Sequence, residues 1–190
     1  MKHSPLKVDK SWTLFLDRDG VINKKLPGDY VRNISEFEVL PGVKESIARL
    51  QNVFGLVIVI TNQQGVGKGI MTADDVNKVH DYMCSEIAAS GGNIHDVFFC
   101  PDLDGSGSRD RKPAIGMGLQ AKDKFPEIDF SRTLMVGDSI TDMEFGKKLD
   151  LTTVFIQKEK DTQSDNNPLI DYVFTSLKEF SDFIYESNPS

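Results

Sequence analysis

Two aspartates one residue apart, Asp17 and Asp19, follow a short apolar run over 14–16. If that run is a buried strand, residues i and i+2 point to the same side, so both carboxylates crowd together at its C-terminal end. Two like charges in one place are unfavourable unless a cation or a shared proton offsets them. A glycine at position 20 allows close approach to the backbone, so the pattern favours a magnesium and phosphate site. A polar strand end turning into a loop is the alternative for this pair alone.

Further polar side chains follow three later apolar runs, each of which is typical of a buried strand. The runs cover 56–60, 97–99 and 133–136, and the polar residues after them are Thr61 and Asn62, then Lys112, then Asp138 and Asp142. In an open parallel sheet, ligands bind outside the carboxyl ends of the strands, near the point where the strand order reverses. Polar groups at four strand ends therefore favour one built site over a chance pattern.

These residue types together can transfer a phosphoryl group. Asp17 would be the nucleophile that attacks phosphorus and forms an aspartyl-phosphate. Asp19 would protonate the leaving alkoxide and then take a proton from the hydrolytic water. Lys112 would set a positive charge against the transferring oxygens. Thr61 and the backbone N–H groups near Asn62 would hydrogen-bond the phosphoryl group.

A magnesium ion would complete this site, because an anion attacking a phosphate dianion needs positive charge nearby. Asp17, the backbone carbonyl of Asp19 and Asp138 are the expected ligands, and Mg²⁺ retains water in the remaining positions. Asp142 lies one helical turn after Asp138 and would orient Lys112 or a metal-bound water from the second shell. The alternative for Asp138 is the N-cap of the helix that follows it.

The elements that must position these residues are strands and helices in alternation along the whole chain. This alternation predicts an α/β fold with a doubly wound, mostly parallel sheet and right-handed crossovers. We expect a polar N-terminal arm over 1–11, loose against the rest, and a single domain over 12–186. The polar stretch 158–168 is expected to be mobile.

Composition excludes several other classes of protein. A net charge of −7 over 190 residues argues against nucleic-acid binding, which depends on clustered Lys and Arg. No apolar run approaches the roughly 20 residues that span a bilayer, and residues 1–10 hold no hydrophobic stretch that could act as a signal peptide. Two cysteines, Cys84 and Cys100, indicate buried thiols in a reducing compartment, so we expect a cytoplasmic protein. The oligomeric state stays open.

Four ordered motifs resemble those of the haloacid dehalogenase (HAD) superfamily of phosphatases. They are Asp-Arg-Asp-Gly-Val-Ile-Asn at 17–23, Thr-Asn-Gln at 61–63, Arg-Lys-Pro at 111–113 and Gly-Asp-Ser at 137–139 with Asp142. The resemblance covers about residues 12–157. It implies a HAD-like Rossmannoid fold without a large cap domain, and Mg²⁺-dependent hydrolysis of a phosphomonoester through an aspartyl-phosphate.

Within the superfamily, the motifs are similar to the subfamily of heptose-bisphosphate and histidinol-phosphate phosphatases. This similarity implies a small phosphorylated sugar as substrate, with D-glycero-D-manno-heptose 1,7-bisphosphate losing its 7-phosphate as the first choice. Histidinol phosphate is the alternative substrate, and a non-catalytic phosphate-binding or regulatory module is the alternative class. The substrate contacts implied by the resemblance are Gln63, Gln64, Arg111 and Tyr30.

The loop before Arg111 departs from the subfamily pattern. Its members usually carry a Cys-x-His pair and a Cys-x-Cys pair that bind zinc there, whereas residues 100–110 hold one cysteine and no histidine. A tetrahedral Cys/His zinc site is therefore not expected. The loop must be ordered in another way or stay mobile.

Overall fold

A computed structural model describes residues 4–157 and 167–188 of the chain. The strands are β1 (Thr13–Leu16), β2 (Leu56–Asn62), β3 (Asp96–Cys100), β4 (Thr133–Gly137), β5 (Thr152–Ile156) and β6 (Tyr172–Phe174). The helices are α1 (Val43–Val53), α2 (Ala73–Ala88), α3 (Gly116–Lys124), α4 (Ile140–Lys148) and α5 (Leu177–Ser187).

The six strands form one sheet in the order β3-β2-β1-β4-β5-β6, and every neighbouring pair is parallel. The prediction of a doubly wound α/β fold is confirmed, and the sheet is wholly rather than mostly parallel in the described part of the chain. The strand order reverses at β1 and β4, where Leu16 lies opposite Val59 on one side and Val136 on the other. Asp17 is the residue that leaves the sheet at this reversal.

Helices cover both faces of the sheet, because alternate strand residues point to opposite sides. Leu14 and Leu16 face a core shared with α1, α2 and α5, while Phe15 faces a second core shared with α3 and α4. All three β1 side chains are fully buried. Because both faces of β1 are buried, its residues 14–16 are all apolar and do not alternate with polar residues.

Two boundaries near the candidate site differ from the sequence expectation. Strand β2 continues through Thr61 to Asn62, because Asn62 still pairs in register with Cys100. Helix α4 takes Ser139 as its N-cap, so the alternative of Asp138 as the cap is wrong. Asp138 is therefore free of a capping role.

The N-terminal segment is held against the last helix where the structure describes it. Val8 is buried, its N–H donates to Oδ1 of Asn188 at 3.1 Å, and Nδ2 of Asn188 donates to the carbonyl of Leu6 at 2.9 Å. Through these contacts the segment is held against the end of α5, whereas a loose arm was expected. The division of the chain into an arm and one domain stays a prediction. The expected mobility of 158–168 falls almost entirely on 158–166, outside the described residues.

None of the described helices has the length and apolar character needed to cross a membrane.

Candidate active site

A cavity of about 410 Å³ opens at the carboxyl edge of the sheet, where the strand order reverses. Of the residues predicted for the site, it is lined by Asp17, Asp19, Tyr30, Thr61, Asn62, Gln63, Gln64, Arg111, Lys112 and Asp142. Asp138 lies beside it and is joined to it by Lys25, a lining residue whose Nζ is 2.8 Å from Oδ1 of Asp138. The structure thus brings all the predicted residues together.

Lys112 forms the buried centre of the site. Its Nζ lies 3.0 Å from Oδ1 of Asp17 and 2.6 Å from Oδ1 of Asp142, and it also donates to the carbonyl of Ile60 at 2.6 Å. Lys112 is 2% exposed and Asp142 is fully buried. Burial alone would lower the pKa of Lys112, but Asp142 and Asp17 raise it above its usual value, so the ammonium keeps its charge.

Negative charge is concentrated around Asp17. The pKa of Asp17 is raised to about 7: burial is the largest cause, Lys112 opposes it, and the charges of Asp142, Asp138 and Asp19 add to it. Lys112, Lys25 and Arg18 supply three positive charges to these four carboxylates, so one negative charge is left without a partner. This excess of negative charge favours the binding of a cation beside Asp17.

The donor set fits a magnesium ion. Asp17, Asp138 and Asp142 each offer a carboxylate oxygen, and these three atoms lie within 4.8 Å of one another. Mg²⁺ prefers such oxygen ligands. Gly20 closes one side of the group: its φ is +91°, and an added Cβ would lie 2.1 Å from Oδ2 of Asp138. Both oxygens of Asp142 are engaged, Oδ1 by Lys112 and Oδ2 by Ser139. Asp17 meets Lys112 through Oδ1 alone, and Asp138 pairs with the half-exposed Lys25, so Asp17 and Asp138 are the carboxylates that suit the metal best.

The carboxylate of Asp19 is held on both oxygens. Arg18 Nη2 donates to Oδ1 and Oδ2 at 3.1 and 2.9 Å. Nδ2 of Asn23 donates to Oδ1 at 2.9 Å, and Nε2 of Gln63 donates to Oδ2 at 2.8 Å. Burial raises the pKa of Asp19, but Arg18 and the hydrogen bonds from Asn23 and Gln63 bring it below its usual range.

Asn62 positions Lys112 rather than offering its side chain to a ligand. Its Nδ2 donates to the carbonyl of Lys112 at 3.0 Å, and its Oδ1 accepts from the N–H of Lys112 at 3.0 Å. The reciprocal pair fixes the Lys112 backbone against the end of β2. Thr61 is 1% exposed, and its Oγ1 accepts from Nε2 of Gln63 at 3.0 Å.

Of the four predicted substrate residues, Arg111, Gln64 and Tyr30 lie on the rim of the cavity and Gln63 does not. The guanidinium of Arg111 donates to the carbonyl of Asp102 at 3.3 Å, and Oε1 of Gln64 accepts from the N–H of Asp104 at 3.3 Å. The ammonium of Lys68 lies over the ring of Tyr30, with Nζ 5.3 Å from the ring centroid. Gln63 is 1% exposed, with both amide N–H groups donated to Asp19 and Thr61, so its side chain is committed to the interior.

The loop over 101–110 is ordered by hydrogen bonds. Oγ of Ser108 accepts from the N–H groups of Asp110 and Arg111, each at 3.2 Å. The Sγ of Cys100 lies 3.6 Å from that same hydroxyl. These hydrogen bonds are the kind of contact that the first expectation for this loop, ordering in another way, requires.

Sequence reasoning missed four polar residues that contact the site: Arg18, Asn23, Lys25 and His80. Asn23 and Arg18 belong to the motif that begins at Asp17, so their place in the motif was an available signal. The sequence shows no partner spacing for His80 and so favours a surface or structural role for it over catalysis. Its partner is Arg18, 62 positions away, which no local pattern could indicate.

Comparisons with known proteins agree with this geometry. A sequence model described as HAD-hydrolase-like matches residues 110–180. A D-glycero-alpha-D-manno-heptose-1,7-bisphosphate 7-phosphatase of Mycobacterium tuberculosis is 35% identical over 170 residues, which cover 90% of each chain. The chain belongs to the HAD-like hydrolases. The family resemblance predicted from the four motifs is confirmed.

Other relatives of this HAD-like hydrolase match along nearly the full length. The protein of the same name from Campylobacter jejuni is 35% identical, covering 94% of this chain and 99% of the relative. Among solved structures, the D,D-heptose 1,7-bisphosphate phosphatase of B. bronchiseptica, complexed with magnesium and phosphate, superposes with a TM-score of 0.84 at 27% identity. That similarity covers 93% of this chain and 99% of the other. The chain is therefore a homologue of the heptose-bisphosphate phosphatases.

Proposed function

We propose that this protein is a Mg²⁺-dependent phosphatase that removes the 7-phosphate from D-glycero-D-manno-heptose 1,7-bisphosphate. The observation that carries the proposal is the shared position of Lys112 between Asp17 and Asp142, with Asp138 alongside. This arrangement provides a nucleophile, a fixed cation and an oxygen-rich metal site at one sheet edge. A non-catalytic phosphate-binding module would gain nothing from a buried carboxylate at Asp17, because that carboxylate would repel the bound phosphate.

In the first step, a carboxylate oxygen of Asp17 attacks phosphorus and the bond from phosphorus to the C7 oxygen breaks. The leaving alkoxide takes a proton from Asp19. Lys112 stays charged and opposes the negative charge on the phosphoryl oxygens. Mg²⁺, bound by Asp17, the Asp19 carbonyl and Asp138, would supply further positive charge there.

In the second step, water attacks the phosphorus of the aspartyl-phosphate, and Asp19 takes the proton of that water. Phosphate leaves and Asp17 is restored as a carboxylate. The lowered pKa of Asp19 suits its role as base in this step. For the acid step, the bound phosphate dianion raises the pKa of a neighbouring carboxyl, so substrate binding favours the protonated form.

The choice of substrate rests on the relatives. Those from M. tuberculosis and C. jejuni are named for the alpha anomer of the heptose bisphosphate, and one from Neisseria meningitidis for the beta anomer. At the rim of the cavity, Arg111 and Lys68 offer positive charge and Gln64 and Tyr30 offer polar groups to a phosphorylated sugar.

The metal requirement is proposed to be magnesium alone. The loop that binds zinc in similar proteins is held here through Ser108 and the backbone, with Cys100 as its single cysteine. One thiol is too few ligands for a structural zinc site. Metal analysis of the purified protein is expected to find less than one zinc per ten chains, and stoichiometric zinc would contradict this proposal.

We further propose that the protein works in the cytoplasm on a small phosphorylated metabolite, without a nucleic-acid or membrane partner. The support is the net charge of −7 and the two free cysteines, Cys84 and Cys100. Thiols left unpaired suit a reducing compartment.

The experiment that tests the activity measures phosphate release from both anomers of the heptose bisphosphate, from histidinol phosphate and from a panel of other sugar phosphates. We expect kcat/KM for one heptose anomer to exceed that for histidinol phosphate by at least about a hundredfold, because buried polar groups discriminate strongly against a mismatched substrate. Preferred turnover of histidinol phosphate would overturn the substrate assignment. If the protein turns over no phosphomonoester at all, the proposal that it is a phosphatase is wrong.

Replacement of the nucleophile tests the mechanism. Asp17→Asn is expected to lower kcat by at least about 10³-fold, because no aspartyl-phosphate can form. Asp19→Asn is expected to lose turnover as well but to keep most of the Mg²⁺ affinity, because only its carbonyl is proposed to touch the metal. Phosphate release by Asp17→Asn at the wild-type rate would rule out the covalent route.

Arg111 is expected to bind the sugar or its remaining phosphate at the rim. Arg111→Ala should raise KM for the heptose bisphosphate about tenfold or more, because a charge-assisted contact of about 1.5–3 kcal/mol is lost. Arg109→Ala is the matched control, since Arg109 lies two residues away but lines a different surface depression. Equal effects of both changes on KM would contradict a specific contact by Arg111.

A further inference from the structure

Arg18 is a fully buried cation that the phosphatase chemistry does not use directly. It lies between the proposed nucleophile and the proposed acid in sequence, and its guanidinium is 0% exposed. Its Nε is buried without a hydrogen-bond partner among the described residues. Burying a charge with incomplete pairing is costly, so stability alone is a poor reason for an arginine at this position.

The guanidinium instead fixes the plane of the Asp19 carboxylate. A single nitrogen, Nη2, reaches both oxygens of Asp19 at 3.1 and 2.9 Å and also donates to Oε1 of Gln63 at 3.1 Å. Gln63 returns a hydrogen bond to Asp19 and another to Thr61. The proposed acid and the proposed phosphate-binding hydroxyl are thereby joined in one network. A group that transfers a proton must lie within hydrogen-bond reach of its target, so this orientation matters for the reaction.

His80 holds the other side of the guanidinium. Its Nε2 lies 3.1 Å from Nη1 of Arg18, and because a guanidinium only donates, Nε2 must be the acceptor and the ring proton is on Nδ1. The imidazole is 5% exposed and packs edge-on against Phe99, with ring centroids 5.5 Å apart. His80 belongs to α2 and Phe99 to β3, so two elements outside the catalytic loops set the position of Arg18.

We propose that Arg18 and His80 are positioning residues that aim the Asp19 carboxyl at the leaving-group oxygen. His80 acts through Arg18, and Arg18 acts through Asp19; neither touches the substrate. This inference rests on the proposed phosphatase function and assigns a task to the two buried groups that the mechanism leaves unused.

The test uses the dependence of the rate on the leaving group. An alkyl phosphate needs a proton on its leaving oxygen, whereas an aryl phosphate with a stable phenolate does not. The value of kcat/KM reports the steps through leaving-group departure, so it isolates the acid role of Asp19. His80→Leu removes the acceptor for Arg18 at similar volume, and His80→Gln restores one.

We expect His80→Leu to lower kcat/KM for the sugar phosphate by roughly tenfold or more, a part of what general acid catalysis contributes. The value for an aryl phosphate that the wild type turns over should change by less than about threefold, and Mg²⁺ affinity should be unchanged. His80→Gln should recover most of the loss. His95→Leu is the matched control and should leave both values unchanged, because His95 contacts the backbone of Val57 at the opposite end of the sheet.

Equal losses for alkyl and aryl phosphates, or no loss for either, would overturn the positioning role. If His80→Leu does not fold, Asn23→Leu makes the same test, because it removes the hydrogen bond from Nδ2 of Asn23 to Asp19 and leaves the contact of Gln63 with Thr61 in place. A wild type inactive on every phosphomonoester would instead overturn the proposed function, and this outcome is distinct from an active wild type whose variants show no selectivity.

Discussion

Lys112 illustrates how one side chain carries several tasks at the residue scale. Its ammonium lies between the carboxylates of Asp17 and Asp142 with almost no exposure to water. Breaking such a buried pair leaves a carboxylate without its counter-charge, which costs far more than breaking a pair at the surface. Lys112 is therefore a structural requirement of the site as well as the proposed catalytic charge.

We expect Lys112→Met to destabilise the protein by about 3–5 kcal/mol in denaturant unfolding, and to abolish turnover. The double variant Lys112→Met/Asp142→Asn should be less destabilised than the single one, because one uncompensated charge is removed, and should stay inactive.

Lys124→Met is the control for this prediction, since Lys124 pairs with Asp96 at a surface position that is 60% exposed. Its loss is expected to cost at most about 1 kcal/mol. If Lys112→Met and Lys124→Met have the same free energy of unfolding, the buried ion pair does not stabilise the fold more than the surface pair does.

Helix α4 shows how an element places the site. Oδ2 of Asp142 accepts hydrogen bonds from the N–H and the hydroxyl of Ser139, at 3.0 and 2.6 Å, and so closes the first turn of the helix. The other oxygen of the same carboxylate pairs with Lys112. The cap thus determines where the lysine partner lies. Gly137 makes room for it, because an added Cβ would lie 2.3 Å from Cβ of Asp142.

Ser139→Ala should therefore cost about 1 kcal/mol of stability and also lower kcat, because Asp142 loses its anchor. Thr72→Ala is the matched control: Thr72 and Asp75 form the same kind of capping box at the start of α2, among exposed residues. It should cost a similar free energy of unfolding with kcat unchanged. The same kcat in both variants would mean that the cap does not position Asp142.

At the scale of the whole molecule, the fold collects acidic groups where the strand order reverses. Asp17, Asp19, Asp138 and Asp142 come from the loops or helix ends after β1 and β4, which are neighbours in the sheet. Burial and these neighbours raise the pKa of Asp17 to about 7. The sheet therefore creates a site in which protons would compete with Mg²⁺ for the carboxylate that is proposed to bind the metal.

This competition predicts a pH dependence of stability. A folded-state pKa above the ordinary value means that the folded protein binds the proton more tightly than the unfolded chain does. The free energy of unfolding of the metal-free protein should therefore fall as pH rises from about 4 through about 7. Unfolding in EDTA at pH 5–8 should show this loss in the wild type and a weaker loss in Asp17→Asn.

Mg²⁺ should recover the stability lost at high pH, by about 2.7 kcal/mol at one hundred times its Kd. Its affinity should weaken as pH falls below about 7, because Asp17 must lose a proton before it binds the metal. A pH-independent Kd, or identical pH profiles for wild type and Asp17→Asn in EDTA, would contradict the assignment of the raised pKa to Asp17.

Much of the fold and the identity of the site residues could be predicted from the sequence. Apolar runs that end in Asp17, Thr61 and Asp138 mark buried parallel strands, and parallel strands end at one edge of a sheet whatever the details of packing. The strand–helix alternation likewise determined the doubly wound class. Element boundaries were less accurate: β2 continues through Asn62 because its partner strand extends the pairing.

Only the tertiary structure decided how the polar groups are paired. The contact of Arg18 with His80 spans 62 positions, and that of Lys112 with Asp17 spans 95. Such pairs depend on how α2 and the loop after β3 pack against the end of β1, and no local period of the chain encodes that packing. The sequence by itself determined which chemistry is present, because residue type and strand ends are local properties. The fold determined which of these side chains form ion pairs and hydrogen bonds with one another, because packing decides which charged groups are buried side by side.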